Sequence, residues 1–278
     1  MRSFSTVLVA LGAVALIGCG GDSNTDTETD TGTGTDTAVD TGTDTSADTG
    51  TSDGPILFLG IVSNGFTGAR IEGGQLCVIE PAQDADSCKT TDADGLAEWV
   101  WLSPGTTNFT SRFTHEDYRT MLYLGRWDDQ VAAFYKDELD STGKITNNFV
   151  AFTTTVMNGW LGGGGITPET DAGHIFISVG DGGTNVALDG LTASLSDASG
   201  TVVYWGNATS LDANLTASSA TGHFIIANVV PGTYTVNVEH PDLECDSAIS
   251  WATDTANQFP VLVEADTVTR GAIFCTAK

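Results

Sequence analysis

The chain has 278 residues and a formal charge of −26, from 36 acids against 10 bases. So large an acid excess leaves no basic footprint of the kind phosphate backbones require, and nucleic acid is excluded as an expected partner. Five cysteines is an odd number, so in an exported chain one of them should have a task of its own.

The first stretch, MRSFSTVLVALGAVALIGC, reads as a targeting segment. Arg2 supplies a positive start, and Val7 to Ile17 is an apolar run of 11 residues. That is too short to cross a bilayer, which takes roughly 20. It ends in Leu16-Ile17-Gly18-Cys19, which resembles the lipobox of bacterial lipoproteins. The resemblance implies cleavage before Cys19, lipid attachment to Cys19, and a membrane as partner through that lipid. Gly20 in the next position resembles lipoproteins forwarded to the outer membrane. An ordinary secretory signal that happens to contain a Cys is the competing reading, although no A-x-A-like site ends the apolar run.

Residues 22–54 read DSNTDTETDTGTGTDTAVDTGTDTSADTGTSDG. They carry nine acids and no Lys or Arg, and apart from Val39 and two Ala nothing in them can be buried. Such a segment cannot offset the entropy of ordering and is expected to stay disordered. Fully extended it would span about 110 Å, which makes it a tether. The rest of the acid excess, 27 acids against nine bases from Gly54 onward, reads as a solvated surface.

After Pro55 the pattern changes to short β-formers. Ile56 to Val62 and Gln75 to Glu80 read as strands, with Asn64-Gly65 and Thr67-Gly68 as turns between them. Asp94-Gly95 opens a hairpin, Leu96 to Leu102 is a strand, and Ser103-Pro104-Gly105 turns the chain. Thr107 to Phe113 places Phe109 and Phe113 on one face, and Tyr118 to Leu124 follows. Within 128–170, DDQVAAFYKDEL is the one expected helix, begun by two Asp that suit the positive end of its dipole. NNFVAFTTTVMNGW fits strand or helix, and Gly162 to Gly165 reads as a flexible joint. Strands are then expected at Gly173 to Val179, Leu191 to Leu195, Val202 to Trp205, Gly222 to Val229, Thr233 to Glu239, Val261 to Val263 and Thr267 to Phe274.

The chain repeats itself. TTDADGLAEWVWLSPG and SSATGHFIIANVVPGTYTVNVEH each run from a Gly through an apolar stretch to Pro-Gly-Thr, with the same interval from Gly95 to Pro104 as from Gly222 to Pro231. Both resemble the carboxypeptidase regulatory-like domain, a small transthyretin-like β-sandwich of about seven strands. Gly68-Ala69-Arg70-Ile71 and Gly190-Leu191-Thr192-Ala193 stand where that family has a preceding strand. The first copy lacks the Tyr after Pro-Gly-Thr, and Phe109 takes that place. The expected fold is therefore all-β: two tandem transthyretin-like or Ig-like sandwiches, over 55–127 and 171–278, joined by a connector over 128–170 and preceded by the leader (1–19) and the disordered linker (20–54).

With Cys19 set aside, Cys77, Cys88, Cys245 and Cys275 fall as one pair near each copy. In an oxidising compartment Cys77–Cys88 and Cys245–Cys275 is the economical pairing of the three open to four cysteines. The rival, a zinc site, lacks any C-x-x-C pair and any close Cys/His cluster.

No catalytic residue stands out. None of the four His begins H-E-x-x-H, and G-x-S-x-G is absent. Ser141 to Lys144 has the end of a P-loop but not its first Gly. No metal site and no cofactor are expected. Asp84, Asp86, Asp92 and Asp94 alternate around Cys88 but lack the distal Glu of a calcium loop, so hairpin turn chemistry is favoured over Ca²⁺. Trp99 and Trp101 share one face of a strand, and His115 and His240 end matching strands; these four are the candidates for a glycan or protein ligand. Core packing, for the Trp pair, and duplication, for the His pair, are the plainer readings. The function expected is a lipid-anchored cell-envelope protein with a binding or structural role, with a carbohydrate- or peptide-binding module and an unrecognised hydrolase as alternatives.

Overall fold

The computed structural model describes residues 56–80, 88–101, 108–126, 136–182, 186–196 and 200–278. Cys19 and the acidic linker lie outside these residues, as do Asp84, Asp86 and the first part of the expected helix, Asp128 to Tyr135. The fold is mostly β, as the turn and strand pattern requires.

The first copy comprises β1 (Ile56–Asn64), β2 (Gln75–Glu80), β3 (Cys88–Thr90), β4 (Leu96–Trp101), β5 (Asn108–His115) and β6 (Tyr118–Arg126), then helix α1 (Lys136–Thr142) and β7 (Lys144–Ala151). Helix α2 (Thr154–Gly163) follows. The second copy comprises β8 (Gly173–Asp181), β9 (Thr192–Leu195), β10 (Thr201–Asn207), β11 (Ser210–Asp212), β12 (His223–Val229), β13 (Gly232–Glu239), β14 (Leu243–Ile249), β15 (Gln258–Val263) and β16 (Thr267–Ala277).

The copies share one plan. In the first, β1 lies between β4, antiparallel, and β7, parallel. In the second, β8 lies between β12, antiparallel, and β16, parallel. The strands facing them are β3-β2-β5-β6 in the first copy and β15-β13-β9 in the second.

Two expectations are corrected here. The segment 128–170 is not a connector throughout: β7 belongs to the first sandwich, which therefore ends at Ala151 rather than at residue 127. Ile145, Phe149 and Ala151 recur at period two, all buried, and fill the first core, which is why KITNNFVA is a strand. The next residues switch to helical spacing. Thr153 Oγ1 accepts from the Val156 N–H and caps α2, and Met157, Trp160 and Leu161 turn inward together. The expected joint Gly162–Gly165 is the C-terminus of this helix, with the Gly164 N–H donating to the Trp160 carbonyl.

The sandwiches are not separate beads. The first part of β16 pairs with β6 in parallel, Thr267 opposite Thr120 through Arg270 opposite Tyr123. This joins β3-β2-β5-β6 to β11-β10-β12-β8-β16 and β14 in one ten-stranded sheet. Strand β8 is consequently buried on both sides. Ile175, Ile177 and Val179 enter the second core, while Phe176 points into the first, against Phe152 and Trp205. A strand covered on both faces loses polar alternation, and GHIFISVG reads as a nearly unbroken apolar run for that reason.

Side chains fasten the joint. The Trp251 indole N–H donates to the Phe109 carbonyl at 3.1 Å, and the Ala252 N–H to Asn108 Oδ1 at 2.8 Å. Arg112 pairs with Glu264 at 2.5 Å, Arg119 pairs with Asp266, and Arg126 donates to Ser247 Oγ. The Arg112–Glu264 pair is about one-third exposed, so it contributes at most about 1 kcal/mol. The backbone register and the buried faces carry most of the attachment.

Both expected disulfides form, each between register partners: Cys77 on β2 with Cys88 on β3, and Cys245 on β14 with Cys275 on β16.

Candidate functional site

Alternation along β13 sorts its side chains. Val236 and Val238 are buried in the second core, so Asn237 and Glu239 stand on the outer face of the β15-β13-β9 sheet. Register places Gln258 beside Asn237 on one flank and Ser194 beside it on the other, with Thr192 opposite Glu239. After β13 the chain turns at His240-Pro241-Asp242. The Asp242 N–H donates to His240 Nδ1 at 3.1 Å, which fixes the ring. Its Nε2 edge faces Gly190, where a Cβ would lie only 3.5 Å away. Lys278 closes the end, its Nζ donating to the His240 and Pro241 carbonyls. The result is an open groove of about 530 Å³, whose lining includes Thr192, Asn237, Glu239, His240, Gln258 and Lys278.

The four proposed ligand residues fare differently. His240 lines the groove. His115 makes the same local bond, its Nδ1 accepting from the Asp117 N–H at 3.1 Å, but its ring packs edge-on against Tyr118 at 5.1 Å. The groove draws only on residues 190–278, so the two His do not form one site. Trp99 and Trp101 lie on β4, opposite Phe58 and Ile56, but their side chains fall outside the described residues. Of the other tryptophans, Trp160 and Trp205 are core residues in edge-on contact at 5.4 Å.

The Asp cluster around Cys88 resolves in its described half into turn chemistry. Asp92 Oδ1 accepts from the N–H groups of Asp94 and Leu96, both at 2.9 Å. Among the described residues no group of three or more His, Cys, Asp or Glu is placed to hold a metal.

The strongest electrostatic perturbations lie in the joint, not the groove. Arg270 on β16 is buried, its guanidinium 4.7 Å from the centre of the Phe176 ring. It donates to Ser178 Oγ and to the Gly271 carbonyl. Burial lowers its pKa to about 10 against a weaker opposing pull from Tyr123, so it stays charged at neutral pH. His174, opposite Val268 on the neighbouring strand, is also buried. Burial first, then the positive charge of Arg119, pull its pKa down to about 4, and the neutral ring accepts the Asn228 N–H through Nδ1. Both groups are buried, and their hydrogen bonds are made within the second copy, to Asn228, Ser178 and Gly271. Sequence reading missed them, since a lone Arg or His inside a strand carries no local sign of what will cover it.

No protein-family model matches the chain, and no curated protein matches it. Solved structures similar to it include the Bacillus anthracis TIE protein, at 8% identity and a TM-score of 0.24, over 79% of this chain and 34% of that one. A streptococcal ancillary pilin matches at 14% identity and a TM-score of 0.22, over 78% of this chain and 62% of that one. GBS52, the minor pilin of Streptococcus agalactiae, matches at 13% identity and a TM-score of 0.22, over 80% of this chain and 98% of that one. The chain thus spans about a third of the first of these proteins and under two thirds of the second. Likeness at this level carries no argument about what the chain does.

Proposed function

We propose that this chain is a lipid-anchored protein of the bacterial cell envelope, with a structural or binding role and no catalytic one. The observation that carries this reading is the cysteine arrangement. Four of the five cysteines close two cross-strand disulfides, which persist in oxidising compartments, and the fifth ends an export-type leader at Leu16-Ile17-Gly18-Cys19. The acidic, Thr-rich segment between Cys19 and β1 then serves as a tether that holds the fused sandwiches away from the membrane. A single acyl chain binds a membrane marginally, so stable anchoring needs the several chains that bacterial lipoproteins carry.

A non-catalytic role is supported by where the perturbed groups lie. His174 and Arg270 are enclosed in the joint between the copies, out of reach of a substrate. Metabolic labelling with an alkyne fatty acid tests the anchor. The full chain should take up the label and sediment with membranes, and Cys19→Ala should do neither. A wild-type chain that takes up no label would remove the anchor from the account.

A further inference from the structure

The groove on the outer face of β13 has no part in the anchoring scheme and does not rest on it. We propose that this groove binds a neutral, polyhydroxylated ligand, a saccharide, laid across β13 between Thr192 and Gln258.

The chemistry of the lining selects the class. Asn237 and Gln258 are cross-strand neighbours whose amides each offer a donor and an acceptor. Glu239 adds a pure acceptor and His240 its Nε2 edge. No hydrogen bond within the described protein uses the side chains of Asn237, Glu239 or Gln258. Vicinal hydroxyls, each able to donate and accept, match this mixed set. The His240 ring and Pro241 add a small apolar wall for the C–H face of a sugar ring. A volume of about 530 Å³ is of the size that small-molecule clefts have, roughly 300–1,000 Å³.

Other classes fit less well. A divalent cation would find one side-chain carboxylate, with the Lys278 ammonium close by. An anion would meet Glu239 on a strongly acidic chain. An extended peptide docks on a sheet edge, through main-chain hydrogen bonds, with pockets for alternate side chains. This groove lies across the middle strand of its sheet, where main-chain groups are already paired on both sides.

The test is an NMR and calorimetric titration of the purified protein with maltotriose, cellotriose, chitotriose and mannotriose. Tetraglycine and inorganic phosphate are the competing classes. At least one trisaccharide should bind and shift the backbone resonances of 237–241 and 258. Asn237→Ala and Gln258→Ala should each weaken it about threefold to tenfold, the worth of one net hydrogen bond. Thr192→Arg, at an exposed position on an edge strand, should block it, while His115→Ala should leave it unchanged. If a variant fails to fold, the wild-type shift map decides alone. The proposal is overturned if no trisaccharide shifts those resonances. It is equally overturned if tetraglycine or phosphate does so instead, or if folded Asn237 and Gln258 variants keep full affinity.

Discussion

Gly95 and Gly222 hold the same place in the two copies. A Cβ on either would come within 2.4 Å of a backbone carbonyl oxygen, that of Val62 in the first copy and that of Val179 in the second. Each has positive φ, +72° and +64°, and the glycine's own carbonyl accepts from the N–H of that same residue, Val62 for Gly95 and Val179 for Gly222. The repeated Gly is therefore required twice over, by the turn and by the close approach of the first strand of each sandwich.

Gly95→Ala and Gly222→Ala should each cost more than about 2 kcal/mol, since a left-handed Ala costs about 1–2 by itself and here also meets backbone. Gly143→Ala is the control: φ is +67°, but open space surrounds it, so only the conformational cost applies. Urea denaturation of the three variants checks this. A Gly95 or Gly222 variant no less stable than the Gly143 variant would contradict the shared architecture.

Stability should fall in mild acid because of His174. The folded state keeps its ring neutral down to about pH 4, whereas the unfolded ring takes a proton below its ordinary value of 6.5. The contribution is fully present above pH 6.5 and is lost as the pH falls towards 4, by about 3 kcal/mol in all. Denaturant midpoints between pH 7.5 and 4 measure it. His174→Gln should flatten that slope, and an unchanged slope would place its origin elsewhere.

The two disulfides should part under reduction. Cys88 is exposed at a sheet edge, while Cys245 and Cys275 are both fully buried. A mild phosphine followed by alkylation of the folded protein should label Cys77 and Cys88 first, and Cys245 and Cys275 only after denaturant is added. Equal labelling rates would show that the second bond is as accessible as the first.

Arg270 is a buried cation that no carboxylate neutralises among the described residues; it rests on Phe176, Ser178 and a carbonyl. Replacing such a group with an apolar side chain of similar length is often neutral or stabilising. Arg270→Met should therefore change stability by less than about 1 kcal/mol or raise it. Arg270→Ala should lower it by about 2–4 kcal/mol through the cavity it leaves. Thermal melts of both variants distinguish this from a structural need for the charge.

Much of the fold was legible in the sequence because it is written locally. The turn glycines at 95 and 222, the Pro-Gly turns and the period-two runs each act within a few residues, and the cysteines fall near their partners. What was not legible depends on distant partners. KITNNFVA looked like part of a connector because its claim to be the last strand of the first sandwich rests on β1, more than 80 residues earlier. The parallel pairing of β16 with β6 has no turn to announce it, and it makes the strands of the two copies one continuous sheet. At the groove, His240 was visible from its match to His115. Asn237 and Glu239 fall in the expected strand Thr233 to Glu239, and only the register sets Gln258 beside Asn237 and Thr192 beside Glu239.

Differential scanning calorimetry tests most directly whether the two copies form one structural unit. A continuous sheet and a shared core predict a single transition whose calorimetric and van't Hoff enthalpies agree, and which Trp251→Ala shifts downward as a whole. Two resolved transitions, with Trp251→Ala moving only one of them, would contradict the account and return the protein to two independent sandwiches on a string.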